Sequence, residues 1–562
     1  MFLRPSTASV LLAVALSAPS TAFAAPPAAT ASIHRQVDAL FAAHAGPGSP
    51  GCAAAIARDG KPDYERGYGS ANLETASPIT PATPFHAASI AKQFTAFAVL
   101  LLQQDGKLSL DDDIHRHVPE LPDYGAPVTL RHLMHHTSGM REQGQLLHLA
   151  GWRAGDVVDH ADLMSVILRQ RTLNHAPGSE PLYTNAAYTL LAEVVARRSG
   201  MRLREFARTR IFVPLEMRDT FFRDDHTEPV PGRAIGYNPA TGPGAGAAGG
   251  WRIAVPHADH AGSSSLSTTV RDLLAWQRNL IDGRVGGSEV ARLMRTSGTL
   301  QSGVEHGYGG GLRIERYRGL RTVGHDGVDG GYRADVVLFP DQRLSVAVLC
   351  NAGTAQAGTL SRRIADLYLA DAMTPLQPAR VALPREQAHR LAGTYWSPVT
   401  DELVRVDLVD GALRPRLRQE PLHHLGGGAF QLGDGLERWR FDAADGRLRI
   451  WDAWPTPRVF ERVTEGLAQP PGAPGAATLE AYAGAYRSAD LGTRYEARLV
   501  DGSLVLHYGR NARAVLEPAS GDRFFSPALG TVTFTRTANG AIDGLTISSR
   551  RLRRFAAQRV EQ

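Results

Sequence analysis

The strongest constraint on this chain is a repeat in its last third. Leu391-Ala392-Gly393-Thr394-Tyr395 returns as Tyr482-Ala483-Gly484-Ala485-Tyr486, and Val409-Asp410-Gly411-Ala412-Leu413 returns as Val500-Asp501-Gly502-Ser503-Leu504. Both pairs of glycines, 393 with 484 and 411 with 502, are 91 residues apart. A shared offset in two motifs marks a duplicated unit. From about Pro384 onward the sequence reads as short strands broken by Asp-Gly and glycine-rich turns, so each copy is a small antiparallel β domain of about 80 residues. So many short strands expose unpaired edges unless the sheet closes, which predicts two β-barrels, at 384–465 and 478–562. Proline-bearing linkers, Thr374 to Ala382 and Glu465 to Thr478, bound the first of them.

Residues 25–375 mix strand and helix patterns. Gly51 to Arg58 and Pro62 to Gly69 read as strands around Asp59-Gly60, and Arg333 to Phe339 and Leu344 to Leu349 as strands around Pro340-Asp341. Helical patterns, among them Ile90 to Gln104 and Ala186 to Arg198, lie between. Strands at both ends with helices between them predict a sheet whose terminal strands meet, with a helical region inserted: an α+β domain.

Ahead of this domain, Arg4, the apolar run Val10 to Ala18 and Ala22-Phe23-Ala24 make a signal peptide cut after Ala24. The run is too short to span a bilayer, and no later segment is long enough. The expectation is a soluble protein that is periplasmic or secreted. A net charge of +5 on 562 residues is too thin to attract nucleic acid. Two cysteines, Cys52 and Cys350, exclude a disulfide scaffold and a cysteine-based zinc site. No cofactor or metal is expected. His132, His135 and His136 lack the H-E-x-x-H pattern, and the pairs His257/His260 and His423/His424 have no carboxylate at ligand spacing. Residues 244–249 match G-x-G-x-x-G, but Pro243 precedes them and no helix follows.

Of the 61 basic residues only Lys61, Lys92 and Lys107 are lysine, so Lys92 stands out. Ser89-Ile90-Ala91-Lys92 opens a helix that is apolar almost all round. The three-residue spacing stacks hydroxyl and amine on one face. A buried lysine can lose its proton where an arginine cannot, and so can serve as base toward a serine. The bland alternative is a capping serine followed by a solvated lysine. Tyr183-Thr184-Asn185, ahead of a second helix, offers a phenol that a nearby amine could pull toward phenolate as a general base, and an amide for a substrate carbonyl. His325-Asp326-Gly327-Val328 precedes the strand at Arg333 and offers backbone beside a glycine for close approach to substrate. Each motif alone is weak.

Together, in this order, they resemble the serine β-lactamase and penicillin-binding protein superfamily: S-x-x-K, then Y-x-N, then H-x-G in place of K-T-G. The stretches Ser89 to Thr95, Leu133 to Gly139, Pro214 to Thr220 and Ala261 to Asp272 are similar to its class C branch, and the three-domain layout to the bacterial D-aminopeptidases. The resemblance implies a five-stranded antiparallel sheet flanked by helices plus an all-helical region, with the site in the crevice between. It implies Ser89 as acylated nucleophile, Lys92 as its base, Tyr183 as proton relay and His325 as the third catalytic motif. Asn185, Asp326, Gly327 and Val328 would bind substrate, with the N–H groups of Ser89 and Val328 as oxyanion hole. It also implies that Cys52 and Cys350 lie on paired strands, and that a barrel loop can reach the site, without saying which. At Asp326 relatives that read a carboxylate keep a hydroxyl. A carboxylate there should repel an anionic terminus and attract an α-ammonium, unless it turns away or pairs with an arginine such as Arg333.

The expected function is an exported serine hydrolase acting through an acyl-enzyme on small-molecule or peptide substrates, D-residue peptides or amides first. The alternatives are an esterase, a β-lactamase or D,D-peptidase, or a non-catalytic cell-wall sensor. Oligomeric state is not legible.

Overall fold

The computed structural model describes residues 28–561 apart from 154, 241–249, 255, 257, 376–379, 419, 434, 436, 453 and 464–478. The expected leader, the glycine-rich loop 244–249, His257, the second linker and part of the first lie outside the described residues.

Six strands build the sheet of the first domain: β1 (Cys52–Arg58), β2 (Lys61–Tyr68), β3 (Arg313–Tyr317), β4 (Leu320–Asp329), β5 (Tyr332–Phe339) and β6 (Leu344–Cys350). They are antiparallel throughout, in the order β3-β4-β5-β6-β1-β2, so the terminal strands meet as expected. Asp59 and Gly60 both take positive φ, 51° and 74°, as a two-residue hairpin with the native strand twist requires. β1 is buried on both faces. Ala53, Ala55 and Ala57 enter one core, while Cys52, Ala54 and Ile56 enter the other. The helix Ala28–Leu40 and the helix Ala357–Leu369 cover the second face, and Val270–Asp282 packs against β1 and β6 on the first.

The expected sheet has five strands; the structure adds a sixth, β3. Its sequence, Arg-Ile-Glu-Arg-Tyr, is charged at three of five positions. Such a segment does not read as a strand, although an edge strand tolerates and often carries charge.

Cys52 and Cys350 sit directly opposite one another in the β1–β6 ladder and are joined as a disulfide. The bond ties residues 298 apart in sequence. Removing such a crosslink from the unfolded chain costs roughly 2–5 kcal/mol of stability. Reduction, or Cys52→Ser with Cys350→Ser, is therefore expected to lower the thermal midpoint measured by circular dichroism. An unchanged midpoint would show that the bond does not constrain the unfolded chain.

Both duplicated units form eight antiparallel strands. The second, from Gly484–Arg487 to Leu552–Val560, closes completely. In the first, the end strands Ala412–Pro415 and Leu422–Gly426 share no ladder among the described residues, so it is barrel-like but open at that seam. The repeat holds to the level of single dihedrals. Asp410-Gly411 and Asp501-Gly502 adopt φ of 51° and 77°, and of 51° and 76°. Gly393 and Gly484 adopt 151° and 148°, each with an arginine, Arg462 or Arg559, over the place a Cβ would fill. Tyr395 and Tyr486 each donate from the phenol to the carbonyl four residues back.

The second barrel docks on the helical region. Tyr495 donates to the Leu149 carbonyl (3.0 Å), Tyr508 bonds His148 (2.8 Å), and Arg553 forms a two-pronged pair with Glu180 (2.7 and 2.9 Å). Gly509 meets Gly151 so closely that a Cβ on it would lie 2.2 Å from the Gly151 Cα. One continuous hydrophobic core crosses this junction, whereas the first barrel has its own.

Candidate active site

The helix α1 (Ala91–Gln104) is buried from Ala91 to Leu102, and its first turn is preceded by a 3₁₀ turn, Ala88–Ile90, that carries Ser89. Ala88 adopts φ of 48°, a conformation that is unfavourable for alanine and that recurs at functional turns. No side chain caps this helix start, so Ser89 is not a capping serine. Its Oγ lies within hydrogen-bond distance of two groups instead: Lys92 Nζ at 3.1 Å and the Tyr183 hydroxyl at 3.0 Å.

Lys92 is fully buried. Burial pulls its ammonium down from the ordinary lysine value to about 7, with Glu142 opposing and Arg551 adding to the fall. Nζ donates to Asn185 Oδ1 (2.7 Å) and to the Ser263 carbonyl (2.6 Å). A neutral amine has two N–H bonds and one lone pair. With both N–H bonds on these acceptors, the lone pair faces Ser89 Oγ, where it can take the hydroxyl proton. The approach of Gly311 keeps this corner closed: a Cβ there would lie 2.6 Å from the Lys92 carbonyl carbon.

Tyr183 is buried, and burial pushes its hydroxyl well above the usual tyrosine range. A low-dielectric surround disfavours the charged phenolate that the sequence suggests as a base. The Tyr183 hydroxyl donates a hydrogen bond to Ser89 Oγ. Its ring rests on His136, with centroids 4.2 Å apart, and the Lys92 ammonium lies 4.9 Å from the ring centre.

Asn185 begins the helix α2 (Asn185–Ser199). Its backbone N–H donates to Glu142 Oε2 (2.8 Å) and its side-chain amide to Glu142 Oε1 (3.0 Å). Glu142 was not singled out in the sequence. The signal available was its place three residues past Gly139, just before a helix, Gln143–Leu149, whose N-terminus it caps.

On β4 the four residues 325–328 split their tasks. His325 is buried and held neutral, pulled down to about 3 mainly by burial. Its ring bonds the Tyr308 hydroxyl (2.9 Å) and the Asp326 carbonyl (2.6 Å), and lies 6.0 Å from the Tyr183 ring. It therefore stands behind Tyr183. Asp326 accepts from Arg313 Nε at 3.0 Å across the β3–β4 hairpin. Burial raises its carboxyl, but Arg313 outweighs this and holds it well below the carboxylate range. The arginine pair anticipated for Asp326 is thus present, with Arg313 in place of Arg333, and it compensates the charge expected to attract an ammonium. Gly327 lets β4 run against the nucleophile turn, since a Cβ there would lie 2.3 Å from the Ala87 carbonyl oxygen. This brings the exposed Val328 beside the Ser89 turn.

One barrel segment that reaches the site is the turn between strands Ile542–Ser549 and Leu552–Val560. The Arg551 guanidinium sits 4.7 Å over the Tyr183 ring. Among the described residues, one set of metal-capable groups, Asp225, His226 and Asp259, comes within 4.8 Å. The His226 ring and main-chain N–H both already bond Asp259.

A β-lactamase family model matches residues 37–370, which is more than half of the chain. The chain belongs to the β-lactamase family. A second model, a domain of unknown function (DUF3471), matches residues 468–561, the second barrel. The chain is 29% identical over 393 residues to a D-aminopeptidase of Gluconobacter oxydans, covering 70% of this chain and 71% of that one. It is 29% identical over 325 residues to a D-aminopeptidase of Cereibacter sphaeroides, covering 57% and 60%. In structure it resembles the octameric penicillin-binding protein homologue from Pyrococcus abyssi, with a TM-score of 0.54, 25% identity and 77% and 99% of the two chains covered. The D-amino acid amidase from Ochrobactrum anthropi shares the fold, with a TM-score of 0.51, 21% identity and coverage of 61% and 99%. This β-lactamase-family chain is a serine hydrolase. Among its described residues no helix is long and apolar enough to cross a membrane.

Proposed function

We propose that the protein hydrolyses amides or peptides of D-residues through an acyl-enzyme on Ser89, and that it does so after export by the leader at 1–24. The observation that carries the chemistry is the contact of one serine oxygen with the amine of a fully buried lysine and with a buried tyrosine hydroxyl. Lys92 takes the Ser89 proton as the Oγ–C bond forms. The oxyanion is met by the N–H groups of Ser89 and Val328. The amide C–N bond then breaks as Tyr183 gives its proton to the leaving nitrogen and is reprotonated from the Lys92 ammonium. Water repeats the sequence on the ester, releasing the acid and restoring Ser89. Glu142 takes one N–H of the Asn185 amide, and the other points the substrate carbonyl. The D-residue preference rests on the D-aminopeptidase relatives.

The test is turnover of a D-alanine anilide, its L-enantiomer, an acyl ester and a chromogenic β-lactam. Preference for the D-anilide supports the reading; ester or β-lactam turnover alone replaces it with an esterase or β-lactamase, and absence of all turnover with a sensor.

A pH dependence follows. Lys92 must be neutral, so kcat/KM should rise with pH through about 7 and level off above it. Glu142 raises the lysine value, with Asp326 and Asp329 acting the same way and Arg551 against them. Glu142→Gln removes the largest of the raising charges, and the acid limb of the profile is expected to move to lower pH. A limb that moves up, or stays, would assign it to another group.

A further inference from the structure

The turn that closes the second barrel carries Arg550-Arg551-Leu552-Arg553-Arg554. Three of its four arginines have structural work. Arg550 pairs with Asp452 (2.7 Å), Arg553 with Glu180 (2.7 Å), and Arg554 donates to the Pro398 carbonyl (3.0 Å). Arg551 differs. Its side chain is one-third exposed (33%), and among the described residues its guanidinium makes no hydrogen bond. Its nearest carboxylate oxygen, Glu142 Oε2, is 4.0 Å away and already accepts from the Asn185 N–H. Its remaining contact is the face of Tyr183.

The placement is held from the main chain. The Arg551 carbonyl accepts from the Glu142 N–H (3.3 Å) and from Asn174 Nδ2 (3.1 Å), and Asn174 Oδ1 accepts from the Arg553 N–H (2.8 Å). The loop that fixes Asn185 through Glu142 therefore also fixes Arg551. Elsewhere around the crevice Asp326 pairs with Arg313, and the Asp329 carboxylate is hydrogen-bonded to the His86 ring at 2.9 Å. Arg551 stands at the far limit of an ion pair with Glu142, its main chain held in place, and among the described residues its fork of donors makes no hydrogen bond.

We propose that Arg551 is a specificity-determining residue that binds a carboxylate on the leaving-group half of the substrate. This rests on the hydrolase reading above. In that reading the acyl oxygen lies at the N–H groups of Ser89 and Val328, while Tyr183 protonates the leaving nitrogen. A cation stacked on Tyr183 is therefore a neighbour of the leaving amine. When that amine is an amino acid, its carboxylate is two bonds from the nitrogen, within reach of a guanidinium that binds carboxylates in two-pronged fashion. The favoured substrate is a D-aminoacyl amino acid with a free C-terminus, ahead of the corresponding amide. The residue comes from the second barrel, which gives that domain a part in substrate choice.

The test compares kcat/KM for D-alanylglycine and D-alanylglycinamide in wild type and in Arg551→Lys, Arg551→Gln and Arg551→Glu. Wild type should favour the free acid on the order of 10-fold or more, as for loss of a charge-assisted pair. The ratio should fall toward unity in the glutamine variant, invert in the glutamate variant and be partly kept by lysine. D-Alanine p-nitroanilide, whose leaving group has no carboxylate, separates the two readings. Its turnover with an acid-to-amide ratio that is the same in wild type and Arg551→Glu overturns the role of Arg551 alone. No turnover of any of the three substrates by wild type overturns the hydrolase reading and this proposal with it. The ratio is internal to each variant, so partial misfolding does not mimic the expected result.

Discussion

Lys92→Arg is expected to lower kcat/KM by on the order of 10²- to 10⁴-fold, the range for removal of a general base. The substitution keeps a cation, which is what makes it informative. Arginine stays protonated at every accessible pH and has no lone pair for the Ser89 proton. The pocket is also shaped for one amine, with Asn185 Oδ1 at 2.7 Å, the Ser263 carbonyl at 2.6 Å and Gly311 pressed against the helix backbone. The measurement is steady-state kinetics on the D-anilide, with near-ultraviolet circular dichroism to confirm a packed fold. A folded variant with near-normal rates would reduce Lys92 to an electrostatic anchor. Raising the pH should rescue nothing in this variant, in contrast with the wild-type rise through about 7.

The second large effect is on Ser89. Ser89→Ala leaves the lysine and tyrosine in place but removes the atom that both face, and activity should fall by on the order of 10⁴-fold or more, as when a catalytic unit loses its nucleophile. Intact mass after treatment with a fluorophosphonate or a β-lactam should show one adduct on the wild type, mapping to the peptide with Ser89, and none on the variant. An adduct that persists in Ser89→Ala would sink the assignment of the nucleophile. This outcome bears on the covalent chemistry alone, while the Arg551 series bears on which substrates reach it.

Much of the site was legible because its parts are short and local. The Ser89–Lys92 spacing puts two groups on one helical turn wherever the helix goes, and the rarity of lysine in this chain singles out Lys92. The duplicated domains were legible for a similar reason, since Asp-Gly turns and alternating strands are written in neighbouring residues and recur at one offset. The sixth strand was missed because a charged edge segment lacks the apolar alternation that marks a half-buried strand. The open seam of the first barrel depends on how two four- and five-residue strands meet, which no local pattern records.

The duplicated β domains, the sheet with its terminal strands joined, and Ser89, Lys92 and Tyr183 as candidates are all written in short runs of neighbouring residues. The charges around them depend on the fold. Arg313 reaches Asp326 because β3 pairs with β4 in a register that places Arg313 opposite Gly324, a diagonal neighbour two residues away. Glu142 holds Asn185 from another helix, and Arg551 arrives from a separate domain. The same burial pulls the Lys92 ammonium down and pushes the Tyr183 hydroxyl up. Coulomb energy depends on distance through space and on how much water lies between the charges. Neither quantity is encoded in separation along the chain.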